Sequence, residues 1–341
     1  MNCNKTIKKA LNIAIPFVLG GAILWWMYRD YDFKKMEDTL VHGMNWGWML
    51  FSLIFGITAQ MFRGIRWKQT LEPLGEHPKI MDCIHAIFIS YACSLVIPRS
   101  GEVTRCGVLT KYDGVSFPKA LGTVVTERII DSLLLLIIII AVILWQLTVF
   151  DSFFDTTGTN IEDTLRGFTT TGYIVTAICA VITICFLCIA MKRFTFMNKV
   201  KEAFDNMKAG VMSLKDVKNK WLFAFYTIAI WLSYFIHYWT TFNCFEFTQN
   251  LGFTVAIVSF IVGSISVIVP TPNGAGPWHF AVKTIFILYG VAAGNAETFV
   301  LIVFAVQTAL VPILGIYSTI MLGLRSNDEI TKHFESQQNN L

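Results

Sequence analysis

Two short stretches of the chain hold the residue types that could do chemistry. The first reads Pro98-Arg-Ser-Gly-Glu-Val-Thr-Arg105 and is followed downstream by Glu127-Arg128-x-x-Asp131. Arg99, Glu102 and Arg105 recur every three residues, so a helix starting after Pro98 would carry them on one broad face. Gly101 sits between them, where the chain must turn. Arg128 and Asp131 are also three apart. A guanidinium offers planar, bidentate donors that suit a phosphate as well as a carboxylate. Two arrangements are open. Arg99, Arg105 and Arg128 could close an ion-pair network with Glu102, Glu127 and Asp131, or one Arg could remain for an anionic ligand.

The second stretch reads Pro270-Thr-Pro-Asn-Gly-Ala-Gly-Pro-Trp-His279. Pro270 and Pro272 break the preceding apolar run, Gly274 and Gly276 permit a tight turn, and Pro277 suits the first turn of a new helix. Backbone N–H groups at such a helix start can receive an anion without a charged side chain. Asn273 and His279 add polar side chains. A His here could titrate near neutral pH, but a hydrogen-bonded structural role is the simpler expectation. The same holds for His237 amid Tyr234, Tyr238 and Trp239. Cys185-x-x-Cys188 lies in an apolar run without His and reads as helix filling rather than a redox pair. There is no Walker A motif, so a nucleotide motor is not expected, and neither is a metal or other cofactor.

Composition decides what must position these residues. Of 341 residues, 55% are hydrophobic and only 15% charged, against about a quarter charged in a soluble domain. Too few charges remain to coat a globule in water, so lipid must solvate much of the surface. That excludes a soluble enzyme, a disordered scaffold and a disulfide-stapled module. A net charge of +4 is too small to suggest nucleic acid. Stretches long enough to span a bilayer, roughly 20 residues, are 10–28, 45–62 (short), 120–149, 170–190, 221–247 and 297–322. Lys5, Lys8 and Lys9 precede the first, which is too long for a cleaved leader and reads as a retained anchor. Residues 80–97 end at Pro98 and residues 251–269 at Pro270, each followed by a second, weaker helical stretch.

Basic residues set the orientation. With both Pro-terminated stretches folded back as hairpins (80–110 and 251–291), inside loops carry 19 Lys and Arg and outside loops 4. The positive-inside rule then places the N- and C-termini in the cytoplasm. The order span, span, hairpin, span occurs twice, in residues 1–150 and again, inverted, in residues 170–325. Broken helices that meet at the interface of inverted repeats are a transporter signature. Residues 196–217 carry apolar side chains at helical spacing with Lys on other faces, fitting either an amphipathic helix on the cytoplasmic leaflet or a solvated basic loop. Residues 326–341 read as a polar, flexible tail.

At these residues the sequence resembles the transmembrane-region family of lysylphosphatidylglycerol synthases. Arg63-x-x-Arg66-Trp67, Pro98-Arg-x-Gly-Glu-x-x-Arg105, Glu127-Arg128-x-x-Asp131 and Pro270-x-Pro-x-Gly carry the resemblance. It implies movement of phospholipids or other polar lipids between leaflets. Where an aminoacyl-transferase domain is fused, that domain lysylates the lipid. The family's second tip commonly reads Pro-x-Pro-Gly-Gly-x-Gly-x-x-Glu. Here Asn273 stands for a Gly and His279 for the Glu, which points to a different lipid.

The expected protein is all-α and polytopic, with six transmembrane helices and two re-entrant hairpins in an inverted-topology repeat. It resides in the cytoplasmic (inner) membrane and is not an enzyme. Its expected activity is translocation of an anionic, aminoacylated or polyprenyl-phosphate lipid. A membrane-embedded transferase on lipid-phosphate substrates and a secondary transporter of a small soluble anion are the alternatives. A membrane phospholipid or other polar lipid is the expected partner. Protein partners would be a second copy of the chain or a separate lipid-modifying enzyme. Arg99, Glu102, Arg105, Arg128, Asp131, Asn273, Gly274 and His279 are the expected substrate contacts. Pro98, Gly101, Glu127, Pro270, Pro272 and Gly276 are the expected structural and gating positions. The two tips should meet, in a cleft containing Arg99, Arg128 and Asn273. Single cysteines replacing Lys111 and Lys119 should react with a membrane-impermeant thiol reagent only from the cytoplasmic side. Labelling of this pair from outside would rule out the inverted repeat.

Overall fold

The structure is a computed structural model that describes residues 21, 23–25, 27–29, 33–97, 100–145, 205, 212, 216–267, 269 and 271–324. The expected spans 10–28 (in large part) and 170–190, most of the segment 196–217, and the tail lie outside the described residues. So do Pro98, Arg99 and Pro270.

The described residues are almost wholly helical. In chain order the helices are α1 (Phe33–Asp38), α2 (Trp46–Leu71), α3 (Ile80–Val96), α4 (Gly101–Asp113) and α5 (Phe117–Trp145), then α6 (Lys220–Trp239), α7 (Gly252–Ser266), α8 (Pro277–Leu288) and α9 (Ala293–Gly323). Asn45 starts α2 by accepting from the N–H groups of Gly47 and Trp48, a strong capping arrangement. Gly114, at φ 68°, ends α4 in the left-handed conformation that glycine adopts without strain.

Among the described residues, three stretches are long and apolar enough to cross a membrane: Trp46–Leu74, Lys220–Cys244 and Ala293–Gly323. Helices α3 and α7 are apolar but have only 17 and 15 residues. At 1.5 Å per residue they reach about 26 and 22 Å, short of a hydrocarbon core of about 30 Å. Each ends before a proline and packs against the helix that follows it, α3 on α4 and α7 on α8. Large apolar side chains remain exposed at helical spacing, as in Leu133, Leu136, Ile137 and Ile140 of α5 and Phe225, Ile228 and Leu232 of α6. Such stripes call for lipid rather than water. Trp46, Trp48, Trp145, Trp221 and Trp239 are exposed near helix ends, where indole rings favour the membrane interface.

Helix α2 is the central strut. Near its start, Met49 joins a core of Phe235, Phe242, Phe245, Phe286 and Phe299. Toward its end, Trp67 and Leu71 join a second core with Cys83, Ile87, Cys106, Leu109 and Val124. The expected short span 45–62 is therefore corrected: the helix continues to Leu71 and carries Arg63 and Arg66 within it. That removes these two from the loop charges counted for orientation. Their burial is affordable because acids on α5 meet them.

Gly101 is where the first hairpin closes. A Cβ there would stand 2.2 Å from the Ser90 carbonyl oxygen and 2.4 Å from Ser94 Oγ, whereas a Cβ at Gly107 meets nothing within 4 Å. Gly101→Ala should lower unfolding stability by about 1–3 kcal/mol. Gly107→Ala should change it by no more than about 1 kcal/mol. An unfolding titration in mixed micelles measures both, and equal stability of the two variants would contradict the close approach.

Candidate functional site

Five ionised side chains form a buried network where α2, α4 and α5 meet. Arg66 Nη1 lies 2.7 Å from Asp131 Oδ1, and Arg66 Nε lies 3.5 Å from Glu127 Oε1. Arg63 Nη2 is 3.2 Å from Asp131 Oδ2, and Arg105 Nη1 is 2.8 Å from Glu127 Oε2. Each carboxylate thus bridges two guanidiniums, and three Arg against two acids leave a formal charge of +1. All five are nearly inaccessible to solvent. Arg66 also donates to Thr227 Oγ1 of α6 at 3.2 Å. Arg105 lies over the Trp67 ring at 4.7 Å, and Trp67 Nε1 donates to Thr123 of α5. Beside the network, Arg128 Nε pairs with Glu102 Oε1 at 2.7 Å, with both side chains almost half exposed. Helices α4 and α5 are therefore cross-linked twice with opposite polarity, Arg105 to Glu127 and Arg128 to Glu102.

Beside this network, lined by residues from the middle of α2 and α9, is a cavity of about 440 Å³. Gly56 and Gln60 of α2, Tyr91 of α3 and Leu135 of α5 wall it on one side. The second half of the chain supplies Trp231, Tyr234, His237 and Tyr238 from α6, and Phe260 and Ser264 from α7. It also supplies Trp278 from α8 and Phe304, Gln307 and Thr308 from α9. Among the described residues, no Asp, Glu, Lys or Arg lines the cavity. Tyr91 and Tyr234 share a hydroxyl–hydroxyl hydrogen bond of 2.8 Å. The Arg63 guanidinium lies 6.0 and 5.9 Å from their ring centroids, so this tyrosine pair joins the network to the cavity wall.

The second tip contributes Asn273. Its φ of 50° is a left-handed value that Asn tolerates better than most residues, which lets it stand where the resemblance expects Gly. Its Nδ2 donates to Thr308 Oγ1 at 3.0 Å, tying the tip to α9. Gly274 is also left-handed (φ 78°), and a Cβ there would come within 2.9 Å of Val267 Cγ2. The 3-10 turn Pro272–Gly274 packs against α3, so the second tip approaches the first hairpin.

The expected site residues thus separate into groups. Arg105, Glu127 and Asp131 join the buried network, and Glu102 with Arg128 forms the half-exposed pair. Asn273 lines the cavity. The expected cleft grouped Arg128 with Asn273, but Arg128 points to Glu102 on α4 and does not line the cavity. His279 does not line it either. It is buried 4.4 Å from the Phe304 ring, with Nδ1 accepting from the Gly276 N–H at 3.4 Å. That bond caps the start of α8, as Gly276 (φ 92°) turns the chain into it. Sequence reasoning missed the site roles of Arg63, Arg66, Gln60, Tyr91, Trp231, Tyr234, Gln307 and Thr308. Gln60 and Gln307, lone amides within apolar runs, were the available signal.

Paired broken helices, lipid-facing stripes and a charge network sealed among helices define a helical integral membrane protein. The chain belongs to the family described as the lysylphosphatidylglycerol synthase TM region, which it matches over residues 13–315. Membership links it to membrane lipid metabolism or translocation. No curated protein and no solved structure matches the chain.

Asp131→Asn leaves two buried guanidiniums short of a counter-charge and should cost about 3–5 kcal/mol. Arg128→Ala removes a half-exposed pair and should cost less than about 1 kcal/mol. Unfolding of both variants in the same micelles checks the contrast. Equal losses would mean that the network does not hold the helices together.

Proposed function

We propose that the protein is a lipid translocase, moving a polar lipid between leaflets of the cytoplasmic membrane, and that it is not itself an enzyme. One observation carries this reading: an uncharged, polar and aromatic cavity lies at the middle of α2 and α9, walled by both halves of the chain and by the second tip. A headgroup crossing hydrocarbon loses its hydration and needs replacement hydrogen bonds along the way. Amides, hydroxyls and an imidazole at mid-depth supply them while the tails stay in lipid.

The element order supports a repeat, α2, α3/α4 and α5 in the first half matching α6, α7/α8 and α9 in the second. We read α3/α4 and α7/α8 as hairpins entering from opposite faces, with both termini cytoplasmic. In that arrangement the buried network is the fixed frame, and the seam between the tips opens sideways to admit a lipid. The acids a transferase would need are held in ion pairs, Asp131 by Arg63 and Arg66 and Glu102 by Arg128. A transporter of a small soluble anion would be favoured by a cation in the cavity wall, and none stands there among the described residues.

Proteoliposomes containing a tail-labelled fluorescent phospholipid, bleached from outside with dithionite, test the reading. The wild-type protein should carry bleaching beyond the outer-leaflet share. Ser264→Trp, which fills the cavity from α7, should return it to the level of protein-free vesicles while the protein stays folded. Full exchange by the plugged variant would contradict the cavity route. Uptake of inorganic phosphate without lipid exchange would favour the small-anion transporter.

A further inference from the structure

We infer that the cavity selects a lipid whose headgroup is a sugar or another polyol, and rejects headgroups that carry an ammonium group. The inference rests on the translocase reading and adds the chemistry of the lipid.

Charge comes first. An ammonium group taken out of water needs a carboxylate or a free aromatic face as partner, or loses several kcal/mol of hydration. Among the described residues, the cavity wall contains no carboxylate. The acids of the adjacent network, Glu127 and Asp131, are each already shared by two Arg. The excess charge of that network is positive, and Arg63 brings it against the rings of Tyr91 and Tyr234. Two of the aromatic faces that could have held an ammonium by cation–π contact thus already lie close to a guanidinium.

The wall matches a polyol in two ways. Trp231, Tyr238, Phe260, Trp278 and Phe304 present flat apolar surfaces, which suit the C–H faces of a sugar ring. Between them stand the amides of Gln60, Asn273 and Gln307 and the hydroxyls of Tyr91, Ser264 and Thr308. Amides and hydroxyls both donate and accept, as sugar hydroxyls do. His237 Nδ1 donates to the Ser52 carbonyl at 2.7 Å, which leaves Nε2 of the neutral ring as an acceptor. Two wall residues also keep unmet capacity of opposite kinds: Gln60 Oε1 is an acceptor and Trp231 Nε1 a donor, each without a protein partner. An ammonium only donates and a phosphate only accepts, whereas a hydroxyl can meet both. The volume of about 440 Å³ falls within the usual range of small-molecule sites, about 300–1,000 Å³.

The test uses the full chain in proteoliposomes, each preparation containing one tail-labelled lipid: phosphatidylinositol, phosphatidylglycerol, phosphatidylethanolamine or lysylphosphatidylglycerol. The two polyol headgroups should exchange at least about tenfold faster than the two ammonium headgroups, because a site built for hydroxyls discriminates strongly against groups that leave it unpaired. Gln307→Glu, nearly isosteric, installs the missing carboxylate and should narrow or reverse that ratio. Equal or faster exchange of the ammonium lipids by the wild-type protein would overturn the headgroup inference and leave the translocase reading standing. If no lipid exchanges, the translocase reading fails. Binding of the dihexanoyl forms of the same four lipids to the detergent-solubilised protein then decides the inference by itself. A preference of about tenfold for the polyols sustains it, and equal binding overturns it.

Discussion

A charge inside a membrane protein must be met by another charge, and the placement of Arg63 and Arg66 follows from that constraint. Both lie within a helix long and apolar enough to cross hydrocarbon, where ionised side chains are costly unless paired. Glu127 and Asp131, one turn apart on α5, meet them together with Arg105. Pairing the guanidiniums with these acids fixes the rotation of α2 against α5 and draws α4 in through Arg105. It also joins the two halves of the chain through Thr227. The geometry is specific because moving any one helix would leave a buried charge without its partner. Breaking such a network costs far more than its net contribution to stability, so it acts as a registration device.

With the charges gathered in the frame, the cavity can be uncharged. Its walls come from apolar helices, with single polar side chains spaced along them. The tyrosine pair is the contact between the two regions, since its rings face Arg63 and its residues line the cavity. The second tip meets α9 through Asn273 and α3 through the turn at Pro272–Gly274. A movement of that tip would therefore alter the cavity without disturbing the ion pairs. This division of labour, a charged frame beside a neutral chamber, suits the proposed passage of a headgroup.

Much of the frame was legible in the sequence, because proline and charge leave strong local signals. Pro98 and Pro270 marked where the short helices end, and the spacing of Glu102, Arg105, Glu127, Arg128 and Asp131 suggested their pairing. The extent of α2 was not legible. Arg63 and Arg66 follow a short apolar run and look like loop charges until Asp131, 65 residues beyond Arg66, is placed beside them. Local hydropathy cannot report a partner so far away. The cavity was less legible still, since Tyr91, Trp231 and Tyr234 sit in aromatic-rich runs that packing alone would explain. The six-span count and the opposed hairpins rest partly on segments outside the described residues.

Photo-crosslinking with a lipid that carries a diazirine in its headgroup tests most directly whether the headgroup travels through the neutral cavity. Phosphatidylinositol modified in this way, activated in proteoliposomes and followed by peptide mapping, should leave adducts on the peptides that carry Tyr91, Tyr234, Asn273 and Thr308. Adducts confined to the exposed pair Glu102 and Arg128, with the cavity peptides unlabelled, would show that the headgroup takes another path.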